Sequence, residues 1–175
     1  VLVLYDYPPS PGGLATQGDL LYRGLLEMGV DAHAAHFESA QEKEWYYRWF
    51  EPDIVVGVGY WGHTPDLILH PQRYGVQPVP WLVADGYIAN YQTVLNALPL
   101  ILVTSNWVKE MYVRDGITAD NIEVLPVGDF LRQLARPRQA SVLSGREREI
   151  LQMLGDVLRT SRHGFEDDHD RRRQG

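Results

Sequence analysis

The stretch ILVTSNWVKEMYVRDGITADNIEVLPVGD, residues 101–129, decides the fold class of this chain. It begins with a short apolar run that suits a strand buried on both faces. Ser105 follows as the predicted N-cap of a helix that ends at Gly116. The apolar residues of that helix recur at helical spacing: Val108, Met111 and Tyr112. A second apolar run at residues 122–125 completes a βαβ unit.

The same alternation extends back to the first residue. Apolar runs at residues 1–5, 31–37, 54–58 and 79–84 predict four further strands. Short helical segments lie between the runs, and the connections are brief. Repeated βα units of this kind are typical of a doubly wound parallel sheet. The sequence therefore predicts a single Rossmann-like α/β domain over residues 1–129.

The composition describes a globular chain with one core. Of its 175 residues, 45% are hydrophobic and 22% are charged. The formal net charge of −7 disfavours a nucleic-acid partner, which would need neutralised phosphates. The sequence contains no cysteine, which excludes disulfides and thiolate sites and fits a reducing cytoplasm. It also has no apolar run long enough to cross a bilayer and no signal-like N-terminus, so a cytoplasmic protein is predicted.

An aromatic helix is predicted at residues 42–50, where Trp45 and Trp49 are neighbours one turn apart. One interpretation packs these rings under the edge of the sheet. The other places them at a membrane surface or a partner, which would make the protein membrane-peripheral. His33 and His36 precede this helix in a predicted strand and point to opposite faces, so a structural role is predicted for both.

Two glycines, Gly12 and Gly13, follow the first strand and begin the next helix. Free N–H groups and the helix dipole favour an anion such as a phosphate at this position. A tight turn is the alternative. The dinucleotide fingerprint G-x-G-x-x-G is absent, so the pair alone is a weak signal.

A second group of candidate residues lies just beyond the strand at residues 54–58. Tyr60 and Trp61 offer aromatic platforms, and His63 offers an imidazole, which together suit a sugar. The alternative is that Trp61 packs on a neighbouring helix and His63 caps it. Asp85 follows the next strand and is the candidate base or hydroxyl ligand, unless it caps a helix predicted at residues 88–98.

The order of these motifs resembles a known family. The glycine pair after the first strand, the strand EPDIVVGVG, and ILVTSNWVKEMYVRDGI followed by NIEVLPVGD are similar to the N-terminal domain of family 4 retaining glycosyltransferases, which have the GT-B fold. The most specific part of this resemblance is a serine at a helix start, a basic residue one turn on and an N-I-x-V-x-P-x-G strand. Ser105, Lys109 and residues 121–128 match those positions.

The resemblance implies transfer of a hexose from a nucleotide sugar to a carbohydrate or lipid acceptor with retention. It implies that Gly12 and Gly13 reach the donor phosphates, that no metal site or further cofactor is needed, and that Asp85 stands where many members have a histidine. Ser105 and Lys109 would contact substrate, although the residues themselves favour a helix cap and a solvent-facing lysine.

The sequence after Asp129 departs from the family pattern. Residues 130–142 are predicted as a linker, residues 143–160 as a helix that packs back on the domain, and residues 161–175 as a disordered tail. A donor-binding domain of roughly 150–200 residues is expected in the family. The hypothesis is an acceptor domain whose donor half is missing or is supplied by a partner chain. The alternative is a non-catalytic domain that binds a glycan, a phosphorylated ligand or a partner.

Overall fold

The core of the protein is a parallel sheet of six strands. A computed structural model describes residues 1–83 and 87–126. The strands are β1 (Leu2–Tyr5), β2 (His33–His36), β3 (Ile54–Tyr60), β4 (Gln77–Val83), β5 (Ile101–Val103) and β6 (Ile122–Val124). They lie in the order β2-β1-β3-β4-β5-β6, and every pairing is parallel. The predicted Rossmann-like α/β fold is confirmed.

Helices connect the strands. They are α1 (Gly13–Glu27), α2 (Ala40–Trp49), α3 (His70–Arg73), α4 (Gln92–Asn96) and α5 (Asn106–Arg114). A 3₁₀ turn at Trp61–His63 and a wider turn at Pro65–Leu69 lead from β3 into α3. The predicted βαβ unit corresponds to β5, α5 and β6. Its helix ends before Gly116, whose φ of +100° is the left-handed conformation that a glycine adopts at a helix end.

The helices cover both faces of the sheet. Successive strand residues point to opposite sides, so each face has its own set of side chains to bury. Leu2 and Leu4 of β1 belong to one buried cluster with Tyr47 of α2 and Tyr112 of α5. Tyr5 faces the other way and packs against Gly18 of α1, where a Cβ would lie 2.2 Å from the Tyr5 Cγ atom. This arrangement is the doubly wound layering that the sequence predicts.

The helix predicted at residues 88–98 is wrong in its first turn, since α4 spans only Gln92–Asn96. The Asp115 carboxylate accepts a hydrogen bond of 2.7 Å from the Ile88 N–H, which lies before the helix. Tyr91 then adopts a left-handed φ of 70° directly before α4 begins. The left-handed backbone at Tyr91 therefore sets the start of α4 at Gln92, and the apolar spacing of residues 88–98 contains no sign of it.

The predicted segment boundaries after β6 are not tested. The linker, the helix and the tail predicted at residues 130–175 lie outside the described residues, as does the predicted boundary at residue 129.

The Ser105 cap gives a first test of this account. Its Oγ accepts a hydrogen bond of 3.2 Å from the Val108 N–H at the start of α5, as predicted. We expect Ser105→Ala to lower the free energy of unfolding by about 1 kcal/mol because an amide of the first turn loses its acceptor. Urea denaturation of both proteins measures this, and Ser105→Asp should retain most of the stability. Equal midpoints for the alanine variant and the wild type would contradict the assignment.

Candidate functional site

The strand order places a topological switch point between β1 and β3. From β1 the chain first crosses to β2 on one side, and it later returns to form β3 on the other side. In open α/β sheets, ligands bind at the carboxyl ends of the strands that flank such a point. Gly12 and Gly13 follow β1, while Tyr60 is the last residue of β3 and Trp61 and His63 come directly after it. The topology therefore assigns both groups to the same edge of the sheet.

Gly12 and Gly13 form an open start to α1. Both are exposed, and a Cβ built on either would have no heavy atom within 4 Å. The Gly12 carbonyl accepts hydrogen bonds from the Thr16 N–H at 3.0 Å and from the Thr16 Oγ1 at 2.8 Å. No described side chain caps the helix, and its first turn contains no acidic residue. The amides of this turn are thus accessible to an anionic ligand.

The end of β3 differs from the prediction, because Gly59 and Tyr60 are part of the strand. They pair with Leu82 and Val83 of β4. The strand was predicted to end at residue 58, and glycine usually weakens a strand, but here the glycine makes room for side chains. A Cβ at Gly59 would lie 2.6 Å from the His63 Nδ1 atom and 2.8 Å from a Leu67 methyl carbon. Gly59 therefore allows the His63 ring to lie against the strand.

His63 is the centre of a connected group of rings that we call the aromatic band: Phe37, His63, Tyr60, Trp61 and Tyr87. The His63 ring centroid lies 4.5 Å from that of Phe37 and 4.2 Å from that of Tyr60. Trp61 lies 6.0 Å from Tyr60 and 6.4 Å from Tyr87. The band runs from the end of β2 across β3 to the segment after β4. Its rings differ in exposure: Phe37 is buried, Tyr60, Trp61 and His63 are half-buried, and Tyr87 is 61% exposed.

Trp61 has contacts on two sides, and its role as a sugar platform stays a prediction. It packs against the buried cluster of the sheet, yet its ring also approaches Tyr87, which is 61% exposed. The hydroxyl of Thr64 donates a hydrogen bond of 2.6 Å to the Trp61 carbonyl and closes this turn. A Cβ at Gly62 would lie 2.4 Å from the Tyr60 ring, so the phenol lies directly over the turn. The backbone turn that begins at Trp61 consequently holds the Tyr60 and Trp61 rings of the aromatic band in place.

The candidate base, Asp85, lies outside the described residues, but the segments on either side of it are described. The Tyr112 hydroxyl donates a hydrogen bond of 3.0 Å to the carbonyl of Val83, the last residue of β4. Asp115 accepts from Ile88 on the other side. The Arg114 guanidinium, followed by the Ile88 N–H, holds the pKa of the Asp115 carboxyl below its usual range. Helix α5 thus fixes the chain on both sides of Asp85.

Ser105 and Lys109 both have partners within the protein. Ser105 caps α5, and the Lys109 Nζ donates a hydrogen bond of 2.5 Å to the Ile122 carbonyl in β6. The prediction that Lys109 faces solvent is wrong, because its side chain spans from the helix to this edge strand and is partly buried. A contact of either residue with substrate stays a prediction.

Phe37 and Tyr87 were not among the predicted site residues. Phe37 is only 5% exposed and was predicted as an ordinary strand residue. Tyr87 has no aromatic residue next to it in the sequence. The one available signal was their position, since each follows a strand at the carboxyl edge. His33 and His36 have structural contacts: His33 lies among Tyr46, Trp49 and Phe50, and the His36 Nδ1 accepts from the Glu38 N–H at 3.2 Å.

Two negative findings concern only residues 1–83 and 87–126. In these ranges no group of three or more His, Asp or Glu side chains is placed to hold a metal ion. Every helix in them is too short or too polar to cross a membrane.

Comparison with known proteins adds no assignment: neither a family model nor a curated protein sequence matches the chain. The function is therefore argued from the fold and the site geometry.

Proposed function

We propose that this domain binds a sugar-containing ligand at the carboxyl edge beside β1 and β3, as the acceptor-side domain of a retaining glycosyltransferase. The single observation that supports this most is the aromatic band, since ring faces at a switch point suit the apolar C–H surfaces of a pyranose. The open first turn of α1 lies at the same edge and suits a phosphate of a nucleotide sugar. Asp85 would serve as base or hydroxyl ligand, and the acceptor would be a carbohydrate or a lipid.

A second candidate function is binding without catalysis. It is favoured by the position of His63, whose imidazole lies between Phe37 and Tyr60 and against Gly59. A half-buried ring packed in this way is well placed to support the aromatic band, so catalysis would rest on Asp85 alone. In this case the ligand would be a glycan, and a nucleotide sugar would neither bind nor react.

Substitution of Tyr87 tests the proposed ligand site. The Tyr87 side chain is 61% exposed, so its removal should leave the core intact while the sugar loses one stacking surface. We expect Tyr87→Ala to weaken binding by about tenfold, which corresponds to about 1.4 kcal/mol. Calorimetric titration of the full chain with UDP-glucose, UDP-N-acetylglucosamine, GDP-mannose and free oligosaccharides measures this effect.

Trp107→Ala is the matched control, because Trp107 on α5 is also 61% exposed and is not part of the aromatic band. Its affinity should equal that of the wild type. Binding of oligosaccharides without any binding or turnover of nucleotide sugars would favour the non-catalytic function. The proposal is wrong if the full chain binds no member of the panel, or if Tyr87→Ala binds as tightly as the control.

A further inference from the structure

Gln17 is a buried polar side chain in the second turn of α1. Only 3% of the residue is exposed. Its Nε2 atom is fully enclosed, yet no hydrogen-bond acceptor among the described residues pairs with it. Most buried polar groups in folded proteins have a partner, because an unpaired donor loses its hydration without compensation. Gln17 therefore has a hydrogen-bond donor that is free for a ligand.

The geometry of α1 directs this donor toward the open start of the helix. Residues four apart lie one above the other on the same face of a helix, so Gln17 lies directly behind Gly13. The Cα–Cβ bonds of a helix tilt toward its amino terminus, which directs the Gln17 carboxamide toward the first turn. Gly13 has no side chain to cover it, and a Cβ built there would have no heavy atom within 4 Å. The carboxamide and the free amides of the first turn thus face the same space.

The next residue, Gly18, explains why Gln17 is enclosed. A Cβ at Gly18 would lie 2.2 Å from the Tyr5 Cγ atom, so only a glycine lets α1 lie this close to β1. The close contact buries the side chain beside it and limits its movement. The last torsion of a glutamine is soft, so Nε2 can still turn toward a ligand while the helix stays in place. A donor fixed in this way costs little entropy when it binds.

The charges around this space select the ligand. Residues 1–22, which form β1 and the start of α1, contain no lysine or arginine, and neither do residues 54–63, which form β3 and the turn after it. The first turn also contains no acidic residue. The positive potential comes from the helix terminus alone, which acts as roughly half an elementary charge. A group with one negative charge is matched better than a phosphomonoester, which carries about two near neutral pH.

The directions of the donors favour a tetrahedral group. The backbone amides and the Gln17 carboxamide approach from different sides, and the oxygens of a phosphate point in several directions, whereas those of a carboxylate lie in one plane. We propose that Gln17 and the first turn of α1 form a subsite for a phosphodiester group, with the Gln17 Nε2 donating to one of its oxygens. The proposal rests on the ligand site of the proposed function, since the diphosphate bridge of a nucleotide sugar contains such groups.

Nitrogen–proton correlation NMR on the full chain tests the subsite directly, because it detects the side-chain NH₂ group of Gln17. Gln17→Met lacks this signal and assigns it. We expect dimethyl phosphate, which has one charge and no sugar, to shift the Gln17 NH₂ signal and the Gly13 amide in a saturable manner. Sodium acetate at the same ionic strength should shift neither. UDP-glucose and dihexanoylphosphatidylglycerol should give the same response, and the tighter of the two identifies the source of the group.

Gln17→Met also separates ligand binding from a structural role. The variant should weaken the binding of the tighter of these two ligands by about tenfold, because the phosphate loses a donor. Its melting temperature should not fall, since the amide that is removed has no partner within the described residues. Gln72→Met is the matched control, because Gln72 is an exposed glutamine on α3, which leads to the amino end of β4. This control should bind like the wild type.

Three outcomes would overturn the proposal. The first is a Gln17 NH₂ signal that responds to no phosphodiester, or that responds equally to acetate. The second is equal affinity of Gln17→Met and Gln72→Met. The third is a melting temperature that falls in Gln17→Met but not in Gln72→Met, which would give the amide a structural role. Oligosaccharide binding that depends on Tyr87 without any Gln17 response overturns this inference alone, whereas a Gln17 response to dimethyl phosphate without binding of any sugar contradicts only the proposed function.

Discussion

Gly18→Ala is expected to lower the free energy of unfolding by about 2–3 kcal/mol, the upper part of the range of about 1–3 kcal/mol that is typical for overpacking a closely packed core. The added Cβ would lie 2.2 Å from the Tyr5 Cγ atom and 2.4 Å from its Cβ. These atoms are at the root of a side chain that is fully buried, so a rotation of the ring cannot relieve the overlap. Helix α1 would have to move away from β1, and α1 begins with the glycines of the candidate site.

Thermal and urea denaturation measure this loss, and Gly13→Ala is the matched control in the same helix. Gly13 has no neighbour within 4 Å of a built Cβ, so its replacement should change the stability by less than about 1 kcal/mol. Equal stability of the two variants would show that α1 does not pack on β1 through Gly18.

Asp66→Asn is expected to have the second large effect, through Lys43. The Lys43 side chain is fully buried, and its Nζ donates hydrogen bonds to the Asp66 carbonyl at 3.1 Å and to the Asp66 Oδ1 at 3.2 Å. The substitution removes the charge that compensates a buried ammonium. Because Asp66 is 41% exposed, we expect a loss of about 2 kcal/mol, below the range for a fully buried pair.

The loss of stability in Asp66→Asn should depend on pH in a definite direction. Burial lowers the pKa of Lys43 in the folded protein, while the hydrogen bond and the charge of Asp66 oppose that shift. The unfolded chain therefore binds this proton more tightly, and stability rises with pH between the folded and the unfolded pKa. Without Asp66 the folded pKa falls further, so the stability gap between wild type and Asp66→Asn should be widest near neutral pH and should narrow in alkali.

Urea denaturation at several pH values measures this gap. Lys43→Met in the Asp66→Asn background provides the control, because it replaces the ammonium with an apolar chain of similar length and should recover most of the stability. A gap that widens in alkali, or a double variant no more stable than Asp66→Asn, would contradict the proposed role of this ion pair.

The fold was predictable because local and tertiary preferences agree over most of the chain. Ser105 and Gly116 mark the two ends of α5, and the apolar residues between them are buried as their spacing predicts. The strand order was not predictable in this way. Whether β3 lies beside β1 or at the far edge of the sheet depends on the direction of each crossover, and the apolar pattern of a strand is the same in both cases.

The candidate site was predictable as a region, but its internal contacts were not. Tyr60, Trp61 and His63 lie at or just after the end of a strand, a position that any α/β pattern would indicate. The contact between the His63 and Phe37 rings joins residues that follow β3 and β2, and these strands lie on either side of β1 only in the folded sheet. The contact of Lys109 could not be predicted either. Its hydrogen bond with the Ile122 carbonyl joins α5 to β6, and the residue spacing within a helix does not show which strand lies beside it.

The most direct test of the central claim is a map of backbone amide shifts by NMR as the full chain is titrated with the tightest-binding sugar ligand of the panel. A ligand at the carboxyl edge should shift the amides of Gly13, Leu14, Tyr60 and Trp61 together. The amides of Gly29, Gly75 and Gly116, which precede β2, β4 and β6 at the opposite edge, should stay unchanged. Shifts confined to these three glycines or to α2, with none at Gly13 or Trp61, would contradict a ligand site at the switch point.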